Sequence, residues 1–279
     1  MQDETLTARD FRRLCDLIYE QAGICLNDEK RTMLEGRIRR RVKALEMPSY
    51  RAYCEYLFDE GGLAEELVPL LDVVTTNKTD FFREPKHFDF LSDRALPEWM
   101  ASGEGRRCYR IWSAPCSSGE EPYTMAMVLS EFARRNPGFD YRILGTDLST
   151  AVLEKAARAV YSEETIAPVP APLKRKYFLR SRDKETAQVR VVPELRERVD
   201  FRRLNFMDDL YEVEGSFAAI FCRNVLIYFD RPTQEQILRK LLRHLLPGGY
   251  LFVGHSETLH EMRLPVKPVA PALYRRSDG

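Results

Sequence analysis

The string SAPCSSGEEP, residues 113–122, sets one glycine and two consecutive carboxylates, Glu120 and Glu121, directly after an apolar segment. Gly119 allows close backbone approach, and Pro122 suits a first helical turn. A turn that cradles a pyrophosphate offers bare N–H groups at a helix N-terminus, and two carboxylates there would repel the anion. The same carboxylates tolerate a sulfonium or an amino group. This turn therefore points away from a dinucleotide and toward S-adenosylmethionine, although acids in a first helical turn also complement the helix dipole with no ligand at all.

Asp147 comes one helix and one strand later, where doubly wound folds place an acid on ribose hydroxyls; followed by Leu148 and Ser149, it could equally cap a helix. Asn205 and Phe206 follow the next strand-like run, an amide and a ring suited to the edge and face of adenine. The apolar run FAAIFC, residues 217–222, then delivers Arg223, Asn224 and Tyr228. Each of these polar groups needs a partner, which marks the segment as more than core.

Such residues must be carried by strands. The patterning predicts strands at Tyr109 to Ser113, Tyr141 to Thr146, Val199 to Leu204, Phe217 to Cys222 and Tyr250 to Gly254. They alternate with helices at His87 to Met100, Pro122 to Arg135, Thr150 to Tyr161 and Thr233 to Leu246. That rhythm implies an α/β, doubly wound domain with a mostly parallel sheet. It breaks at Pro168, Pro170 and Pro172, and short β-like runs such as Val189 to Val192 imply an inserted antiparallel β-subdomain at about 173–201. Upstream, Phe11, Leu14, Cys15 and Ile18, and then Leu34, Ile38, Val42 and Leu45, recur at helical spacing. The expected division is an all-α N-terminal domain over 1–75 and the α/β domain over 76–279, joined by a short strand or linker at Val73 to Pro85.

Composition narrows the setting. The chain has 279 residues, and its 43 basic and 43 acidic side chains cancel, so no overall bias toward nucleic acid or acidic membranes exists. No apolar run approaches the roughly 20 residues that cross a bilayer, and the N-terminus lacks a signal-peptide core, so a cytoplasmic location is expected. The six cysteines form no CxxC pair and lie far from the four histidines, so neither a metal site nor a disulfide framework is expected. Charge is concentrated only between Lys30 and Lys43, where seven basic residues face the single acid Glu35. Lys30, Arg37 and Arg41 fall on one helical stripe beside an apolar one, either a solvated face or a dock for an acidic helix.

Several strings in order, FRRLCDLIYEQAGICLNDEKRTMLEGRIRRRVKAL, TTNKTDFFRE, SSGEEPY, GTDLS, FCRNVLIYFD and PGGYLFVGHSE, resemble the chemotaxis receptor methyltransferases of the CheR family over nearly the whole chain. The resemblance implies transfer of methyl groups from S-adenosylmethionine to glutamates of methyl-accepting chemotaxis receptors, leaving S-adenosylhomocysteine. It implies that Asn77, Thr79, Arg83, Glu121, Asp147, Asn205, Phe206, Arg223 and Asn224 hold the cofactor, with Arg83 and Tyr228 flanking the transfer centre. A glutamate is almost wholly ionised at pH 7 and needs no general base, consistent with the lack of an obvious one.

The implied partners are the receptors' long cytoplasmic helices, met by a monomer without nucleic acid or membrane insertion. Arg37, Arg40 and Arg41 would then steer an acidic receptor helix. Some family members grip a receptor tail peptide with a glycine-containing turn of the β-subdomain, whereas Leu179 to Val192 holds no glycine, so tethering is not expected. Two other readings stand beside this one. RNVLIY loosely resembles the Asn-Pro-Pro-Tyr string of nucleic-acid amino-methylating enzymes but lacks its prolines, and a receptor-binding protein that only senses the cofactor would share the fold.

Overall fold

Four helices open the chain: α1 (Ala8–Ala22), α2 (Arg31–Ala44), α3 (Tyr50–Phe58) and α4 (Leu63–Val74), in a computed structural model that describes residues 5–105, 107–181 and 187–277. Thr7 and Ser49 cap α1 and α3, their hydroxyls accepting from the N–H groups of Asp10 and Ala52. The helical spacing turns Phe11, Leu14 and Ile18 of α1, Leu34, Ile38 and Val42 of α2, and Leu70, Leu71 and Val74 of α4 into one core. Each fully buried side chain of this kind contributes about 1.5–3 kcal/mol. The linker after Val74 has no regular structure before α5 (Pro85–Phe90), which continues through a π-helical turn at Leu91–Ala95 into α6 (Leu96–Ala101).

The second domain then alternates as the patterning predicts. In chain order it contains β1 (Tyr109–Ser113), α7 (Glu120–Arg135), β2 (Tyr141–Asp147), α8 (Thr150–Arg158), β3 (Val160–Ser162), α9 (Ala171–Tyr177), β4 (Phe178–Arg180) and β5 (Gln188–Val191). These are followed by α10 (Pro193–Arg196), β6 (Val199–Arg203), β7 (Phe217–Cys222), α11 (Arg231–Arg243), β8 (Leu245–Val253), β9 (Val266–Ala270) and β10 (Leu273–Arg276). The main sheet runs β6-β2-β1-β7-β8-β10-β9; it is parallel from β6 to β8, while β10 pairs antiparallel with both β8 and β9. Every residue of β7 is buried, as a strand covered on both faces requires. Because β1 lies between β2 and β7, the connections diverge at its carboxyl end and open a crevice there.

Two expectations change. The helix predicted for Thr150 to Tyr161 stops at Arg158, because Ala159 adopts the left-handed conformation at φ 55° and ends it. Residues 160–162 then form the edge of the three-stranded antiparallel sheet β3-β5-β4, where Tyr161 packs edge-on against Phe81 at 5.0 Å. The small sheet therefore begins upstream of 173 and ends before Val199–Arg203, which joins the main sheet as the strand rhythm predicts. The closing β9–β10 hairpin went unread because its alternation is weak: β9 has no buried residue.

Candidate active site

Asp147 ties the loops after β1 and β2 together. Its Oδ2 accepts from Ser117 N–H at 2.9 Å and its Oδ1 from Ser149 N–H at 3.0 Å. Ser149, not Asp147, caps α8, since its hydroxyl accepts from Val152 N–H. Asp147 thus keeps unused lone pairs beside the crevice. Burial pushes its carboxyl up to about 6, against the opposing pull of the backbone N–H groups.

The two carboxylates of the β1–α7 turn have separate surroundings. Glu120 is buried and accepts from the Ser118 hydroxyl, whereas Glu121 faces the crevice, accepting from the Ser113 hydroxyl at 2.7 Å. Burial pushes both carboxyls upward, and Arg223 opposes the shift at Glu121. The freedom of Gly119, at φ 97°, serves packing: a Cβ there would lie 2.8 Å from the Tyr161 hydroxyl and 3.0 Å from Ala156 Cβ.

Arg223 emerges from β7 with its side chain 1% exposed, between Glu84 at 3.2 Å and Glu121 at 3.3 Å. Its Nη2 also donates to the Arg83 carbonyl at 2.5 Å, and its Nε has no hydrogen-bond partner among the described residues. Glu84 extends the network, accepting from Asn224 Nδ2 at 3.3 Å and His255 N–H at 3.3 Å. Asn77, Thr79, Arg83, Glu121 and Asn224 line the polar end of the crevice with Arg223. Arg83 is half-buried and donates to the Lys78 carbonyl at 3.0 Å; the Asn77 carbonyl accepts from the Ser117 hydroxyl at 2.7 Å.

The other end is apolar. Phe206, Leu204, Val225 and Phe229 face Ile24, Leu26 and Met33 of the helical domain, so both domains wall one cavity. Tyr228 lines the same space, its carbonyl accepting from Cys25 N–H at 2.9 Å and its ring 6.0 Å from Lys30 Nζ. Asn205 is also here, but its amide donates to the Gln21 carbonyl at 2.6 Å and accepts from Met207 N–H at 3.0 Å. Its side chain therefore joins the domains as well as lining the wall.

Asn77, Asp147 and Asn224 border both ends, so the two spaces are continuous. An apolar slot for a base, a carboxylate for ribose hydroxyls, and a paired cation and anion for an amino acid's carboxylate and ammonium fit S-adenosylmethionine. Arg223 Nε is a buried donor with no hydrogen-bond partner among the described residues, as a site for such a carboxylate requires. Among the described residues one further group has metal-ligand spacing, Glu84, His87 and His255. Burial and the neighbouring Arg223 push His87 down to about 4, and a divalent cation there would face that guanidinium across the shared Glu84 carboxylate. The cluster reads as the outer part of the Arg223 charge network.

On the basic helix the three predicted receptor-facing arginines separate. Arg41 forms a two-pronged pair with Glu66, at 2.7 and 2.8 Å, and Glu66 is 3% exposed. Arg37 is half-buried, bonded to the Val74 carbonyl and the Thr76 hydroxyl, and it lines the apolar cavity. Arg40 is exposed with no ion pair among the described residues. The glycine-free turn falls largely on residues 182–186, outside the described residues.

Residues 9–75 match the model of the CheR methyltransferase all-alpha domain, and residues 77–271 that of the CheR methyltransferase SAM binding domain. The chain is 38% identical to a chemotaxis protein methyltransferase of Borreliella burgdorferi, over 98% of this chain and 95% of that protein. It is 41% identical to one from Escherichia coli, over 92% of this chain and 87% of that protein. With chemotaxis protein methyltransferase 2 of Pseudomonas aeruginosa it shares 38% identity, over 98% and 95% of the two chains. The chain therefore belongs to the CheR methyltransferase family, with S-adenosylmethionine as its methyl donor.

Proposed function

We propose that the protein is a protein-glutamate O-methyltransferase that esterifies glutamate side chains on the cytoplasmic helices of chemotaxis receptors, working as a monomer in the cytoplasm. The observation that carries this reading is the continuous crevice, apolar at Phe206 and charged at Arg223 and Glu121, in a chain with relatives named chemotaxis protein methyltransferases. The bound cofactor supplies a methyl group on a sulfonium, a carbon already activated toward attack by a carboxylate oxygen.

The chain's own residues then align and exclude water. Asp147 accepts from the ribose hydroxyls, while Arg223 and Glu121 hold the amino-acid end. Arg83 and Tyr228, both half-buried, border the crevice where an incoming glutamate meets it, and they orient its carboxylate. No proton needs removal, so no buried base is required. Exposed Arg40 draws an acidic receptor helix toward this mouth.

No described helix is long and apolar enough to cross a membrane. Incubation of labelled S-adenosylmethionine with purified receptor cytoplasmic domains is expected to yield label on the receptor that mild base releases. Label that resists base, or label on nucleic acid alone, would overturn the proposal.

A further inference from the structure

The segment leaving β7 carries Arg223, Asn224 and Tyr228, yet it has no regular structure until the single 3-10 turn Leu226–Tyr228. Its backbone N–H groups must find partners elsewhere. One carboxylate receives them. Glu257 Oε1 accepts from Val225 N–H at 2.8 Å and Leu226 N–H at 2.7 Å; Oε2 accepts from Asn224 N–H at 2.8 Å and Gly254 N–H at 2.6 Å.

The residue is 6% exposed, and all four bonds are charge-assisted. Gly254 completes the joint, since a Cβ there would lie 2.5 Å from Asn224 Nδ2 and 2.8 Å from Glu257 Oε2. Asn224 itself sits at φ 56°, in the left-handed region that asparagine enters more readily than other residues with a side chain.

We propose that Glu257 is a positioning residue for methyl transfer: its carboxylate fixes the 223–228 loop so that Arg223, Asn224 and Tyr228 face the cofactor crevice. This rests on the assignment of the crevice as the methyl-transfer site. Glu257 does not line the crevice and acts only through the loop. Both of its oxygens are acceptors, so an amide at this position would turn an NH2 group against two N–H donors and release half of the anchor.

Glu257→Gln and Gly254→Ala test this by different routes, the first removing an acceptor and the second crowding Asn224 and Glu257 Oε2 apart while the carboxylate keeps its chemistry. Thermal midpoint, S-adenosylhomocysteine affinity by calorimetry below that midpoint, and kcat and KM on a receptor cytoplasmic domain are measured. In both variants the product's Kd is expected to rise about tenfold and kcat to fall with it, at unchanged receptor KM. Amide exchange at residues 224–226 is expected to quicken in Glu257→Gln. Unaltered product affinity and kcat beside a lowered midpoint would make Glu257 a structural brace and overturn the proposal. If Glu257→Gln fails to fold, Gly254→Ala is judged by the same criterion. A parent protein that neither binds the product nor methylates receptor would instead overturn the reading of the crevice.

Discussion

Arg223 Nη1 lies 3.3 Å from Glu121 Oε2, joining the end of β7 to the first turn of α7 across the mouth of the sheet. The guanidinium also holds Glu84 at 3.2 Å, so one buried cation is shared between two carboxylates. Replacing it with an apolar residue leaves both acids without their cation. Arg223→Met is expected to lose about 3–5 kcal/mol of stability and all measurable cofactor affinity. Urea denaturation and calorimetry check the two effects, and Arg223→Met with Glu121→Gln should recover part of the stability but none of the affinity.

Asp147 predicts a pH dependence. Its folded-state carboxyl titrates at about 6, while an unfolded aspartate titrates near 3.9. The protonated form is favoured by the fold, so this contribution to stability is full below about 3.9 and is lost as pH rises through about 6. Ribose hydroxyls donating to the ionised carboxylate favour the opposite form. Affinity for S-adenosylhomocysteine is therefore expected to fall as pH is lowered through about 6, and Asp147→Asn should bind weakly with a flatter profile. Calorimetry from pH 5 to 8 reads both.

Arg40 and Arg41 are neighbours in sequence with opposite expected phenotypes. Removing Arg41 leaves the buried Glu66 side chain with the Tyr53 hydroxyl, at 3.0 Å, as its one remaining partner among the described residues, and Arg41→Ala should cost about 1–3 kcal/mol. Arg40→Glu should leave the denaturation midpoint unchanged, raise receptor KM at low salt and lose this effect at high salt. Equal receptor KM at both salt concentrations would remove Arg40 from the docking surface.

Asp147, Glu121, Arg223 and Asn224 were legible as candidates because Asp147 ends β2, Arg223 and Asn224 follow β7, and Glu121 opens the helix after the β1 turn, and a parallel sheet delivers all such positions to one edge. Glu84 and Glu257 were not, because they reach the site only through the packing of a linker and a late loop around Arg223 and Asn224. Ile24 and Met33 wall the cavity from the other domain, and no periodicity reports how two domains meet. The basic stripe on α2 was legible as charge, but Arg41's partner Glu66 lies on another helix, so the sequence could not separate a docking charge from an internal one. Ala159 was invisible for a local reason: an alanine at a left-handed helix end breaks the preference that usually puts glycine there.

Tyr228 separates ring from hydroxyl. Its ring lines the apolar cavity beside Phe229, and its hydroxyl has no hydrogen-bond partner among the described residues, in contrast to Tyr19, Tyr53 and Tyr250, whose hydroxyls meet Asp230, Glu66 and Glu98. On the proposed function, the Tyr228 hydroxyl donates to the incoming glutamate and its ring supports the cofactor. Tyr228→Phe should therefore keep S-adenosylhomocysteine affinity and lower kcat/KM for receptor by about tenfold, the size of one lost hydrogen bond to a charged group. Tyr228→Ala removes the wall as well and should weaken product binding in addition. If Tyr228→Phe weakened product binding as much as Tyr228→Ala, the hydroxyl would serve the cofactor rather than the carboxylate, and the orientation of the substrate would fall to Arg83 alone.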